Sequence, residues 1–322
     1  MPAPSSPRRL YVIGNGFDLH HGLRTGFGDF RYHLSEEIGG ECEETVEEYL
    51  CELEGDWSNL ESALAHLDSE RLREYASQFL VGYGADDWTD AYHHDYQFEM
   101  EQKLDVIAGD LVRDLGTWIS QVPIPNPDVT PRLLDLDKSG TFLTFNYTAT
   151  LQRLYEVDRS RVLHVHGSCA PGGSPILLGH GWTPSPTPRP SREEIEDMDP
   201  RVSEGEQLIE RYFSQTMKPT ARVIEQNAAF FESLAGVDEV IILGHSLSPV
   251  DLPYFEAIVG ATASPAWYVS YYAEWEKAHH EEALRSIGVP AERIHLRSMG
   301  SFERRVYRGS VVEGDLASLK EA

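Results

Sequence analysis

Two patterns of apolar positions organise this chain. Near its start, Leu10, Tyr11, Val12 and Ile13 form an unbroken run that ends in Gly14-Asn15-Gly16. A short apolar run stopped by glycine reads as a strand, and the residues after it read as a helix start. Residues 10–30 therefore predict strand, tight turn and helix. The second pattern begins in the acidic run 36–54. Val46, Leu50, Leu53, Trp57, Leu60, Leu64 and Leu67 alternate steps of four and three, which is the spacing of one helix face. Gly55-Asp56 predicts a break into two helices, the second capped by Asp56 or Ser58. The glutamates between read as a solvated face. A further amphipathic helix over about 98–119 carries Leu104, Ile107, Leu111, Leu115 and Trp118.

Strand signals resume after the proline-rich stretch 123–132. Residues 141–145, 161–165, 176–178, 240–243, 266–271 and 293–296 read as strands. Helical stretches follow at 151–155, at 206–234, from Asp251 and at 273–287. This alternation predicts an α/β chain with a Rossmann-like, doubly wound, mainly parallel sheet. The predicted division is a Rossmann-like domain over 1–35 and 122–322, interrupted by a helical insertion over 36–121. The proline-rich acidic segment 183–200 reads as a mobile loop, with a lid over a site as the alternative.

Charge narrows the partners. There are 53 acidic and 27 basic residues, a formal net charge of -26. Such a surface repels nucleic acid and anionic lipid, so neither a nucleic-acid nor a membrane partner is expected. A small dinucleotide remains compatible, because backbone amides bind pyrophosphate locally. Three cysteines without metal spacing argue against a disulfide framework. The opening residues lack a signal peptide's apolar core and no run reaches membrane-span length, so a cytoplasmic protein is expected.

Four motifs fall at strand ends: GNGFD at 14–18, FNYT at 145–148, HVHG at 164–167 and GHSL at 244–247. Glycines in the first admit a close ligand, and the helix after them offers N–H groups and its positive dipole end. The dinucleotide fingerprint is incomplete, since Leu19 stands where a third glycine belongs. Each motif also has a purely structural explanation. Asn146 could cap a helix, His164 and His166 could be hydrogen-bonded core histidines, and Ser246 could begin the next helix.

Taken together, GNGFDLxxGLxTxFxDF, TFNYTxTLxxLY, HVHG and GHSLSPVDLPYF resemble the bacterial abortive-infection family AbiH, as does Trp57-Ser58-Asn59-Leu60-Glu61. More remotely, the same motif order resembles the sirtuin-like NAD-binding fold. The second resemblance implies that Gly14, Asn15 and Gly16, with Phe17 beside them, cradle phosphate. It implies that Gly244, His245 and Ser246 meet the adenosine half. Asn146 would then position a water or ribose hydroxyl, and His166 would act as general base. Asp18, where sirtuin deacylases carry serine, would stabilise positive charge or hold a ribose hydroxyl. The four-cysteine zinc module of those deacylases is missing, so the implied chemistry is cleavage of NAD between nicotinamide and ribose, with NAD as substrate and no metal. A phage-derived trigger and a homo-oligomer fit the family resemblance as further partners.

Three other readings stay open at the level of sequence. Gly244-His245-Ser246-Leu247-Ser248 approaches a nucleophile elbow, which would make Ser246 a hydrolase nucleophile. His164, His166 and His180 could ligate zinc. The same fold could also bind a nucleotide as a sensor without reacting. Glu61 reads as solvent-facing, although the motif around it leaves a place in the site open.

Overall fold

The computed structural model describes residues 7–81, 92–130, 132–181 and 199–304. Within it, β1 (Arg9–Ile13), β2 (Thr141–Thr144), β3 (Val162–His164), β4 (Glu239–Leu243), β5 (Ala266–Tyr271) and β6 (Ile294–Ser298) form one sheet. The order is β3-β2-β1-β4-β5-β6, and every neighbouring pair is parallel. This is the Rossmann-like arrangement in which strand order reverses between β1 and β4. Ligands of such sheets bind beyond the carboxyl ends of the strands at that reversal.

The period-two geometry of strands explains the unbroken apolar runs. Leu10 and Val12 join Leu143, Val240 and Ile242 in a core on one face, closed by Tyr254, Phe255 and Ile258. Tyr11 and Ile13 join Phe142, Ile241 and Leu243 on the other, with Phe17 and Tyr155. Both faces are covered, so the central strands β1 and β4 are apolar on both sides after their first residue.

Between β1 and β2 lie α1 (Asn15–His20), α2 (Phe27–Glu37), α3 (Glu41–Tyr49), α4 (Leu60–Ala63), α5 (Ser69–Ser77), α6 (Tyr92–Asp105) and α7 (Leu111–Gln121). Residues of α2 to α7 build a third core around Phe30, Tyr49, Trp57, Leu60 and Leu111. All seven residues of the predicted helix face take part, six of them buried and Leu53 partly so. They do not sit on long helices, however. α3 ends at Tyr49, and Glu52 and Trp57 take left-handed backbone angles of φ 60° and 56°. Leu50 pairs antiparallel with Leu67, and α4 is a single turn whose Asn59 cap makes no side-chain capping bond. The chain folds back on itself, and the apolar spacing survives because each of those side chains still points inward. The helix predicted over 98–119 is longer than expected, because α6 and α7 are joined by a π-helical turn at Val106–Asp110.

Two stretches after β3 also differ from expectation. Residues 176–178 form no strand; the Leu177 N–H donates to the His166 carbonyl, and pairing moves to a parallel bridge between His180 and Met217. The helical run 206–234 is three helices, Pro200–Thr216, Thr220–Gln226 and Ala228–Glu232. The first packs Ile209 and Tyr212 into the core of the insertion, and the Tyr212 hydroxyl donates to the Leu64 carbonyl at 3.0 Å. It belongs in space with the helices before β2. The loop read over 183–200 lies almost wholly outside the described residues. Among the described residues no helix is long and apolar enough to cross a membrane.

Candidate functional site

A cavity of about 820 Å³ opens at the reversal point of the sheet. Its floor comes from the loops after β1, β2, β3 and β4, and its roof from residues 25–29, residues 56–62 and Leu115 and Ile119 of α7. The four motifs meet here.

The glycines of the first and last motifs pack on each other. A Cβ on Gly14 would lie 2.5 Å from His245 Cα, and one on Gly16 would lie 2.8 Å from Gly244 Cα. Gly244 has φ +64°, and its own Cβ would meet the Phe17 nitrogen at 2.1 Å. The Gly14 N–H donates to the Leu243 carbonyl, the Gly16 N–H to the Gly244 carbonyl and the Phe17 N–H to the Gly14 carbonyl. Three amides expected to cradle phosphate are therefore bonded within the protein. Asn15 is similarly occupied, since its side chain donates to the Thr25 carbonyl at 2.9 Å and accepts from the Thr25 hydroxyl at 2.7 Å. Phe17 is fully buried against His21 and Tyr155, away from the cavity lining. Gly14, Asn15, Gly16, Gly244, His245 and Ser246 do line the cavity, as edges of a rigid corner.

FNYT supplies the polar floor. Thr148 donates to the Asp18 carboxylate at 2.6 Å, and Phe145 stacks edge-on against His245 and His166. His164 is the support for the loop: its Nδ1–H donates to the Asn146 carbonyl, and Nε2 accepts from Gln152. Asn146 itself is 7% exposed, and neither end of its amide has a hydrogen-bond partner. It nonetheless lies close enough to Asp18 to help hold that carboxyl's pKa down. A buried, unsatisfied amide in a cavity wall is a group arranged for a ligand. Asp18 is fully buried, and this burial lifts its pKa to about 6 against the bonds that lower it.

His166 heads a chain of buried charges. Its Nε2 lies 3.4 Å from Asp251 Oδ1, at the N-terminus of the helix Leu252–Ala261. His245 Nδ1 accepts from the Leu247 N–H, which leaves its proton on Nε2, 3.5 Å from Asp251 Oδ2. Lys218 Nζ stands 3.6 Å from Asp251 and 2.7 Å from Glu61 of α4. Burial, with the nearby Lys218 charge, lowers the His166 pKa to about 3. The imidazole is neutral near pH 7. Burial alone would raise Asp251, but Lys218 and the two histidines outweigh it and hold the carboxyl well below the usual range. Burial raises Glu61 in spite of Lys218.

Glu61 therefore faces the site and not bulk solvent. Trp57 is buried and Asn59 ties the loop by bonds with Glu54 and Glu52, so Leu60 enters the core and Glu61 turns to the cavity. The Trp57 to Glu61 motif was the available signal. Asp251 sits inside the GHSLSPVDLPYF motif, where the sequence marks it only as a helix start. Lys218 carries no motif signal; its N–H donates to the His180 carbonyl, which seats it. The alternative chemistries gain little. Ser246 is exposed and His279 meets its carbonyl, not its hydroxyl. Among the described residues no group of three His, Cys, Asp or Glu side chains is placed to hold a metal. Five carboxylates line the cavity, from Asp18, Asp29, Asp56, Glu61 and Asp251, and among the described lining residues there is no lysine or arginine.

A family model described as bacteriophage abortive infection AbiH matches residues 10–271. No curated protein and no solved structure matches the chain.

Proposed function

The chain belongs to the bacteriophage abortive infection AbiH family and so has a role in phage defence, and on that premise we propose that it acts by hydrolysing NAD at the bond between nicotinamide and ribose. The observation that carries this reading is Asn146. Its amide is buried and unsatisfied at the switch point of a Rossmann-like sheet, in one cavity with His166 and Asp18.

Breaking this bond sends its electron pair to the nicotinamide ring and leaves positive charge on the ribose carbon. Catalysis then needs a negative neighbour, a placed water and a proton acceptor. Asp18 supplies the negative charge, since a carboxyl with a pKa of about 6 is mostly ionised at pH 7. Asn146 orients water or a ribose hydroxyl. Neutral His166 takes the water's proton after the oxygen has bonded to carbon. A weak base suffices for that step, because water becomes strongly acidic once it attacks a cation.

The low pKa of His166 is also the observation that favours a second reading, a nucleotide sensor that binds without reacting. Released nicotinamide separates the two. Purified protein, and cells expressing it during phage infection, are expected to consume NAD. Asn146→Ala and His166→Ala should each slow that loss by roughly 100-fold or more with the thermal midpoint kept. Undiminished NAD loss in both variants would refute the assignment, and binding without nicotinamide release would leave the sensor.

A further inference from the structure

We propose that the wall of the cavity furnished by the insertion is a subsite for a positively charged ring, with Glu61 as its specificity-determining residue and Lys218 as the residue that positions it. The inference deepens the NAD reading, on which it rests: the ring is the oxidised nicotinamide.

Three observations support it. Among the described residues, every ionisable side chain lining the cavity, apart from histidine, is a carboxylate or tyrosine, and Lys218 stands behind that lining. Lys218 is 5% exposed and is shared between two carboxylates, Glu61 and Asp251. Two carboxylates share the one ammonium, so with both ionised the three charges leave one unit of negative charge uncompensated in a largely buried wall. A cationic ligand supplies the missing charge, where a neutral ring of the same shape does not. Second, the links run Glu61 to Lys218 to Asp251 to His166 in steps of 2.7, 3.6 and 3.4 Å. The uncompensated charge is therefore delivered beside the histidine at which the ribose is proposed to react. Third, Asn146 lines the same cavity with both amide atoms buried and unpartnered, which marks this region as built for a ligand and not merely as an acidic surface. The rings of Phe145 and Tyr147, also in the lining, suit a flat cation.

Lys218 acts through Glu61. Without it the Glu61 carboxylate would sit against Asp251 and take up a proton, so the subsite would lose the charge that the lysine holds in place.

The test compares two rings of similar shape, the 1-methylnicotinamide cation and neutral nicotinamide, which differ by an N-methyl group and the positive charge it brings, by titration against the full chain. The cation is expected to bind about tenfold more tightly, with a preference that shrinks as salt rises. Glu61→Gln keeps the shape and removes the charge, and it should bring the two affinities to parity. Should that variant fail to fold, the salt dependence of the wild-type preference carries the test. Equal affinities in the wild type, no binding of the cation, or a preference unchanged in Glu61→Gln overturns the proposal. A protein that releases nicotinamide from NAD without preferring the cation sinks this inference alone. Preference for the cation with no nicotinamide release sinks the hydrolase reading and leaves the subsite standing.

Discussion

Asp18 is a residue through which pH reaches stability and, on the proposed mechanism, chemistry. Burial raises its pKa from 3.8 to about 6. Between those values the folded chain holds a proton that the unfolded chain has released. Its contribution to stability is therefore greatest at acid pH and declines as pH rises to about 6, above which the buried charge is a fixed cost. Asp18→Asn should remove that cost, with a gain on the order of 2 kcal/mol at pH 7 that disappears near pH 4, read from denaturant midpoints. Activity should run the other way. If ionised Asp18 stabilises the ribosyl cation, kcat/KM for NAD falls below an apparent pKa of about 6, and Asp18→Asn is inactive at every pH. Because His166 titrates far lower, an acid limb near 6 that persists in an active Asn variant would assign it to some other group. At this scale the sequence was informative where polar residues sit in a motif: Asn146, His166 and Asp18 all line one cavity. At Asn15 and Phe17 the motif also records packing, since their side chains meet Thr25 and the core. A motif records which residues are needed, and the need can be packing.

Among the elements, the two glycine turns act as one piece. Backbone meets backbone where the β1 and β4 loops cross, with no room for a methyl group at Gly14, Gly16 or Gly244. Leu247, three residues on, is held at φ 55° with its side chain fully buried, which fixes the loop that presents His245. Strain of this kind is retained where the surroundings enforce it. Gly244→Ala, with both a left-handed φ and a steric clash, should cost ~3 kcal/mol or more, seen as a fallen thermal midpoint or insoluble protein. A variant as stable as the parent would show that the turns yield easily. Strands were the legible elements, because a fully covered parallel sheet needs consecutive apolar residues and little else has that signature. The insertion was legible as apolar spacing but not as helix boundaries. Left-handed residues at Glu52 and Trp57 break the helices while every apolar side chain keeps its inward direction. The supposed strand at 176–178 had the right composition but no neighbouring strand to pair with, and a local pattern carries no information about that.

For the whole molecule, the mainly parallel α/β sheet followed from the alternation of strands and helices, whereas the strand order and the electrostatics of the cavity did not. Lys218 lies in an unremarkable Met217-Lys218-Pro219 stretch, and its meaning arises from partners 157 and 33 residues away at Glu61 and Asp251. Distant convergence of that kind is invisible to periodicity and to short motifs. The pairing of Lys218 with Glu61 bears on how this chain can be taken apart. Inserted helices on a Rossmann-like sheet invite treatment as a detachable module, to be trimmed away or transplanted. Here removal of 36–121 would strip Glu61 from a buried ammonium group and bare the Ile209 and Tyr212 face of Pro200–Thr216. A chain so shortened is expected to elute from size exclusion as aggregate, and a well-behaved monomer would contradict that. Sheet and insertion thus hold one buried charge system between them, and a chimera that replaces either half alone is expected to leave part of it unpaired.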